Sequence, residues 1–146
     1  MTQRGFTLIE LSVVLTIVVL GFSVISLNIS SGHQTTQLYA ISRDLVSALR
    51  YVRGQALVKH QSLSLALNLS DNTYQVEGQN KHYKIPDGMA LTVVIAQDEF
   101  KHGQIAQIRF YPDGSSSGGR ITLTWEALIV SVDINWLSGK IELKYD

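Results

Sequence analysis

The sequence predicts an α+β protein in which one long N-terminal helix packs on a small antiparallel, β-rich globular domain. Three observations lead there. Phe6 to Ile29 is a nearly unbroken apolar run, and Leu38 to Ala56 repeats apolar residues at three- and four-residue steps. Beyond Gln61 the period falls to two, as in half-buried strands. The chain has 146 residues, a one-domain length. Its charged fraction is 16%, below the usual quarter, and the shortage lies at one end: Glu10 is the lone ionisable residue between Gly5 and Gly32. Net charge is zero, so no whole-molecule field draws in nucleic acid or anionic lipid. Cysteine is absent, which removes disulfide frameworks, thiolate nucleophiles and cysteine zinc sites together.

Met1 to Gly5 is short and polar and carries Arg4. The run that follows, FTLIELSVVLTIVVLGFSVISLNI, exceeds the roughly 7–15 apolar residues of a secretory signal peptide. It meets the requirement of about 20 for crossing a bilayer. A transmembrane segment is therefore expected at about residues 6–29, and Arg4 ahead of it predicts a cytoplasmic N-terminus with the remainder exported. A simple uncleaved signal anchor explains all of this except Glu10. A carboxylate inside a membrane span costs on the order of a few kcal/mol, so it must be neutralised, hydrated at the interface or paired.

A polar patch from Asn28 to Thr36 comes next, and a helical pattern then resumes. Leu38, Ile41, Leu45, Leu49, Val52 and Ala56 form one apolar face, with Arg43, Asp44, Arg50, Arg53 and Lys59 available for polar positions. No proline precedes Pro86, so one helix over residues 6–60 is expected, roughly 80 Å long at 1.5 Å per residue. Gly32 is the expected place for a bend or local melting. Two helices joined by a linker at Ser30 to Gln34 form the alternative.

Residues 61–146 read as the β-rich domain. Leu63, Leu65, Leu67 and Leu69 alternate with Ser62, Ser64, Ala66 and Asn68. Ser70-Asp71-Asn72 then makes a turn, and Thr73 to Glu77 returns with Tyr74 and Val76 inward. Lys81 to Ile85 is a short edge segment stopped by Pro86-Asp87-Gly88. Ala90 to Ala96, Ile105 to Tyr111, Arg120 to Trp125, Leu128 to Asn135 and Lys140 to Lys144 follow. These seven or eight strands should make one or two antiparallel sheets on the apolar face of the second helical half.

Two stretches carry a resemblance. Arg4-Gly5-Phe6-Thr7-Leu8-Ile9-Glu10 resembles the class III signal of type IV pilins and type II secretion pseudopilins. That resemblance implies a pilin-like fold and a leader of residues 1–5, cut between Gly5 and Phe6 by a prepilin peptidase. It also implies N-methylation of Phe6, and a Glu10 that meets the terminal amine of a neighbouring subunit during assembly. The physics agrees: cleavage creates a cation one helical turn from Glu10, and two such charges attract strongly in a low dielectric. Phe110-Tyr111-Pro112-Asp113-Gly114-Ser115-Ser116-Ser117-Gly118-Gly119 and Leu137-Ser138-Gly139-Lys140 are similar to the closing region of the GspH/FimT group. From Leu38 to Gly103 the likeness is loose.

Together they imply an H-type minor pseudopilin of a type II secretion system, near the tip of a periplasmic pseudopilus that helps export folded proteins. Its partners would be the other major and minor pseudopilins, the prepilin peptidase and the inner membrane, which the chain crosses once. No small-molecule substrate, cofactor or enzymatic activity is implied. A minor pilin of a type IV pilus, acting in pilus priming or DNA uptake, shares the leader and is the alternative.

Other features are weaker. Gly114-Ser115-Ser116-Ser117-Gly118 matches G-x-S-x-G, but a nucleophile elbow needs a strand-to-helix turn, and a strand follows here. The loop at Gly114 to Gly119 is expected to be mobile until a partner orders it. His33, His60, His82 and His102 lack metal-ligand spacing, and Asp98-Glu99 suggests no acid–base pair. No calcium-loop pattern is present. Lys140 and Lys144 flank Glu142, which argues against nucleic acid. Trp125 and Trp136 fit core or subunit contacts better than base stacking.

Overall fold

The computed structural model describes residues 7–26, 29–95, 100–101 and 104–145, with the backbone alone for 22–26, 29–32 and 100–101. Its helices are α1 (Leu8–Ser26) and α2 (Ile29–Lys59). Its strands are β1 (Leu63–Asn68), β2 (Thr73–Val76), β3 (His82–Lys84), β4 (Ala90–Val94), β5 (Phe100–Lys101), β6 (Ile105–Phe110), β7 (Gly119–Trp125), β8 (Leu128–Ile134) and β9 (Ile141–Tyr145). Two compact units result, residues 1–36 and 37–146.

In the first unit, α2 stays helical through Gly32, so the melting expected there does not occur. One glycine costs about 1 kcal/mol against alanine, too little to break a long helix. The join between α1 and α2, at residues 27–28, lies outside the described residues.

In the second unit, Leu38, Leu45, Leu49, Val52 and Ala56 are fully buried, and Ile41 packs half-buried beside them. Helix α2 ends in a Schellman motif. His60 takes a left-handed conformation at φ 51°, and the Gln61 N–H donates to the Ala56 carbonyl at 3.3 Å. The chain then leaves as strand.

Both sheets are antiparallel, ordered β3-β2-β1-β6-β5 and β4-β7-β8-β9. Register on β1 faces Leu65 with Ile108 and Leu67 with Ala106. On β7 it faces Ile121 with Val132 and Leu123 with Val130. All of these residues are buried and join the α2 stripe in one hydrophobic cluster, with Phe110 its largest fully buried side chain. Tyr74 and Val76 point inward as the alternation predicts. Strand β5 escaped the sequence reading because two residues carry no period. Ser64, expected outward, is buried because Glu77 Oε2 accepts from both its N–H, at 2.8 Å, and its hydroxyl, at 2.7 Å.

Across the second sheet, Asp133 sits opposite Arg120 on β7 and accepts from its Nε at 2.5 Å and Nη2 at 3.0 Å. Lys144 of β9 donates to the same carboxylate at 2.6 Å. These hydrogen bonds, Arg120 first and Lys144 second, lower the Asp133 pKa to about 2.

Two outcomes follow. Phe110→Ala empties the centre of the cluster and is expected to cost about 3–5 kcal/mol, read as a lower urea midpoint with unchanged slope. Because the folded-state pKa of Asp133 is depressed, its contribution is complete above the unfolded value and disappears as pH falls toward 2. Asp133→Asn should remove that part of the acid limb while costing at most about 1 kcal/mol at pH 7, since both cations are more than half exposed.

Candidate functional site

The expected cleavage point, Gly5 and Phe6, lies outside the described residues. Glu10 lies within them, on the first turn of α1. Thr7 caps that helix: its Oγ1 accepts from the Glu10 N–H at 3.3 Å, and its carbonyl accepts from the Leu11 N–H at 3.2 Å. Thr7-Leu8-Ile9-Glu10 has capping-box spacing, but the contact made is through the Glu10 backbone N–H, and its carboxylate takes no part in the cap. Glu10 is exposed, and among the described residues its carboxylate makes no hydrogen bond or ion pair.

Every described side chain of α1, from Leu8 to Gly21, is exposed, including Leu8 at 86% and Leu20 at 62%. A helix that is apolar all round needs an apolar surrounding. Its two described hydroxyls are turned back onto the helix, Ser12 donating to the Leu8 carbonyl at 2.9 Å and Thr16 to the Ser12 carbonyl at 2.8 Å. Among the described residues, where α1 side chains end at Gly21, no helix is long and apolar enough to cross a membrane.

The loop from Gly114 to Gly119, expected to be mobile until a partner orders it, is bridged by hydrogen bonds within itself and to Arg109 and Trp136. Ser116 Oγ donates to the Arg109 carbonyl at 2.8 Å and accepts from the Gly118 N–H at 3.1 Å. The Ser116 N–H reaches the Trp136 carbonyl at 2.9 Å, and the Ser117 N–H reaches the Arg109 carbonyl at 2.9 Å. Asp113 Oδ1 accepts from the Ser115 hydroxyl at 2.6 Å and N–H at 3.0 Å, which lowers the Asp113 pKa. The G-x-S-x-G spacing, read from the sequence as a hairpin loop and not a nucleophile elbow, leads into strand β7, and Ser116 is buried with its hydroxyl spent on backbone.

Arg53, read from the sequence as a polar helix position, fastens this loop to α2. Its Nε donates to the Gly114 carbonyl at 3.2 Å and its Nη2 to the Ser138 carbonyl at 3.0 Å. Gly139 completes the knot at φ 63°, where a Cβ would collide with the Gly114 carbonyl oxygen and Arg53 Nε. The two glycines were the available signal, since close backbone approach is a common reason for glycine in a turn.

The remaining candidates do not converge. Among the described residues no group of three or more His, Asp or Glu could hold a metal ion. His102, Asp98 and Glu99 lie outside them. Lys140 pairs with Glu142, and Lys144 with Asp133. Trp125 packs half-buried against the core, whereas Trp136 and Leu137 are 66% and 67% exposed.

A profile of the family described as type II transport protein GspH matches residues 42–138. The prokaryotic N-terminal methylation motif matches residues 1–26. The type II secretion system protein H of Xanthomonas campestris pv. campestris is 24% identical over 138 residues, covering 94% of this chain and 81% of that protein. In fold the chain is similar to the minor pseudopilin EpsH from the type 2 secretion system of Vibrio cholerae. The TM-score there is 0.61 at 8% identity, over 75% of this chain and 97% of EpsH. It is also similar to the type IV minor pilin FimU of Pseudomonas aeruginosa, with a TM-score of 0.58 at 11% identity, over 76% and 90% of the two chains. Those two proteins come from different machines, so the fold alone does not separate secretion from pilus.

The loop geometry sets an expected outcome. Ser116→Ala leaves the Gly118 N–H without its acceptor and should cost about 1–2 kcal/mol in a thermal or denaturant melt. A fluorophosphonate probe should fail to label the native full-length chain. Labelling at Ser116 with no stability loss on substitution would reverse the assignment.

Proposed function

The chain belongs to the type II transport protein GspH family, and from that premise we propose how it works as a minor pseudopilin of a type II secretion system. One observation carries the reading: the methylation motif at residues 1–26 and the GspH profile at 42–138 occur in that order along a single chain. The role is structural, a subunit built into a periplasmic filament near its tip, and it uses no cofactor. The leader is cut between Gly5 and Phe6, Phe6 is N-methylated, and the new terminus stays at the cytoplasmic edge of the inner membrane. Residues 6–29 cross that membrane once, and the β-rich domain is periplasmic.

The physical support is specific. An all-round apolar α1 suits lipid or a bundle of like helices better than water. The hydroxyls of Ser12 and Thr16, satisfied within the helix, can enter either without loss. Glu10 remains as a charge with an external requirement. An amine on Phe6 of a neighbouring subunit meets that requirement only at one axial stagger, so the pair fixes register, as a buried polar residue does in a coiled coil.

The type IV pilus alternative keeps the support of the FimU-like fold. It is weaker here because the GspH profile spans the globular domain. DNA uptake is further disfavoured because Lys140 and Lys144 are already neutralised by carboxylates.

Intact mass and fractionation test the two halves of this reading. Gly5→Ala should leave most of the chain at its full mass, five residues longer and unmethylated; efficient trimming would refute the processing site. Glu10→Leu should be processed and membrane-bound yet lost from sheared filaments. Normal incorporation of that variant would remove Glu10 from the assembly mechanism.

A further inference from the structure

We propose that the groove between α2 and the β2–β3 hairpin receives an arginine side chain presented by a second polypeptide. The groove holds about 490 Å³ and lies wholly within the second unit. One wall is the α2 face Asp44-Ser47-Ala48-Tyr51, residues spaced to project together. The other is built from Tyr74 and Val76 of β2, Gln79, and Tyr83 of β3.

Its chemistry selects a planar cation. Tyr74 and Tyr83 stack with ring centroids 5.0 Å apart and planes within 7° of parallel, and Tyr51 stands 48% exposed opposite. Aromatic faces attract cations, and guanidinium most often. Tyr83 already holds the Lys81 ammonium 4.6 Å from its ring centroid and stacks on buried Tyr74, so the ring open to an incoming guanidinium is that of Tyr51. Asp44 adds the formal charge. Among the described residues its carboxylate accepts no hydrogen bond and joins no ion pair.

The negative field of Asp44 reaches the groove. Burial first, then Asp44 and then Tyr83, raise the Tyr74 pKa to about 12. A guanidinium can lie on a tyrosine ring and donate sideways to a carboxylate at once, whereas an ammonium is a point charge. An apolar knob would cover Asp44 without pairing it, and an anion would be repelled. The volume exceeds one side chain, leaving room for the backbone that carries it.

This inference does not depend on membrane anchoring or filament assembly. Its test is a titration of the full-length chain, carrying ¹³C-labelled tyrosine rings, in maltoside micelles free of quaternary ammonium. N-acetyl-arginine amide should shift the Tyr51, Tyr74 and Tyr83 ring resonances saturably, while the neutral isostere N-acetyl-citrulline amide should not at the same concentrations. Asp44→Asn should weaken arginine binding about tenfold. Tyr51→Leu, at an exposed position that does not threaten folding, should weaken it several-fold. Equal shifts from citrulline, absence of saturable shifts, or unchanged affinity in both variants would each overturn the proposal.

Discussion

The globular unit depends on the burial of one helical stripe. Leu38, Leu45, Leu49, Val52 and Ala56 are fully out of water. Each of the larger ones contributes about 1.5–3 kcal/mol relative to exposure. They lie in the same cluster as the inward residues of both sheets. A small antiparallel sheet has one face to hide and cannot hide it alone. Two sheets sharing one helix solve that problem with few residues, and the helix position then dictates where everything else attaches. Tyr39 meets Tyr145 of β9 edge to face at 4.8 Å, and Arg53 holds the two late turns. Tyr51 and Asp44 are left to shape the groove beside β2 and β3.

Much of this was legible in the sequence, for a reason that differs by element. The α2 stripe announced itself because its six apolar positions keep helical spacing over five turns. The inward Tyr74 and Val76 followed from alternation, and α+β architecture followed from the change of period near Gln61. The rest was hidden wherever a side chain serves the backbone. His60 as a helix terminator, Ser64 as a buried partner of Glu77, and Ser116 as the centre of a loop all depend on hydrogen bonds that no periodicity encodes. Strand β5 was too short to carry a pattern. In the N-terminal segment, Glu10 stood out as an ion in an apolar run, yet its backbone contact with Thr7 shows that the same residue also belongs to a helix cap.

The two units answer to different solvents. Residues 37–146 follow the rules of a water-soluble core, with Asp133 and Glu142 paired at the surface. The described part of α1 inverts those rules, placing leucine, isoleucine and valine outward and hydroxyls against the helix. One chain thus carries an element suited to an apolar surrounding and a domain suited to an aqueous one, which is the division of labour a membrane-tethered filament subunit requires.

The knot of Arg53, Gly114 and Gly139 bears on how such a chain can diverge. Residues 53, 114 and 139 are remote in sequence yet share one crowded space, with no room for a methyl group at 139 against the Gly114 carbonyl oxygen, whatever stands at 53. A shorter residue at 53 therefore frees nothing at 139, and it strands two carbonyls that the guanidinium had satisfied. Descendants of this sequence should therefore keep glycine at 139 even where 53 drifts, unless the turn at 114 is rebuilt first.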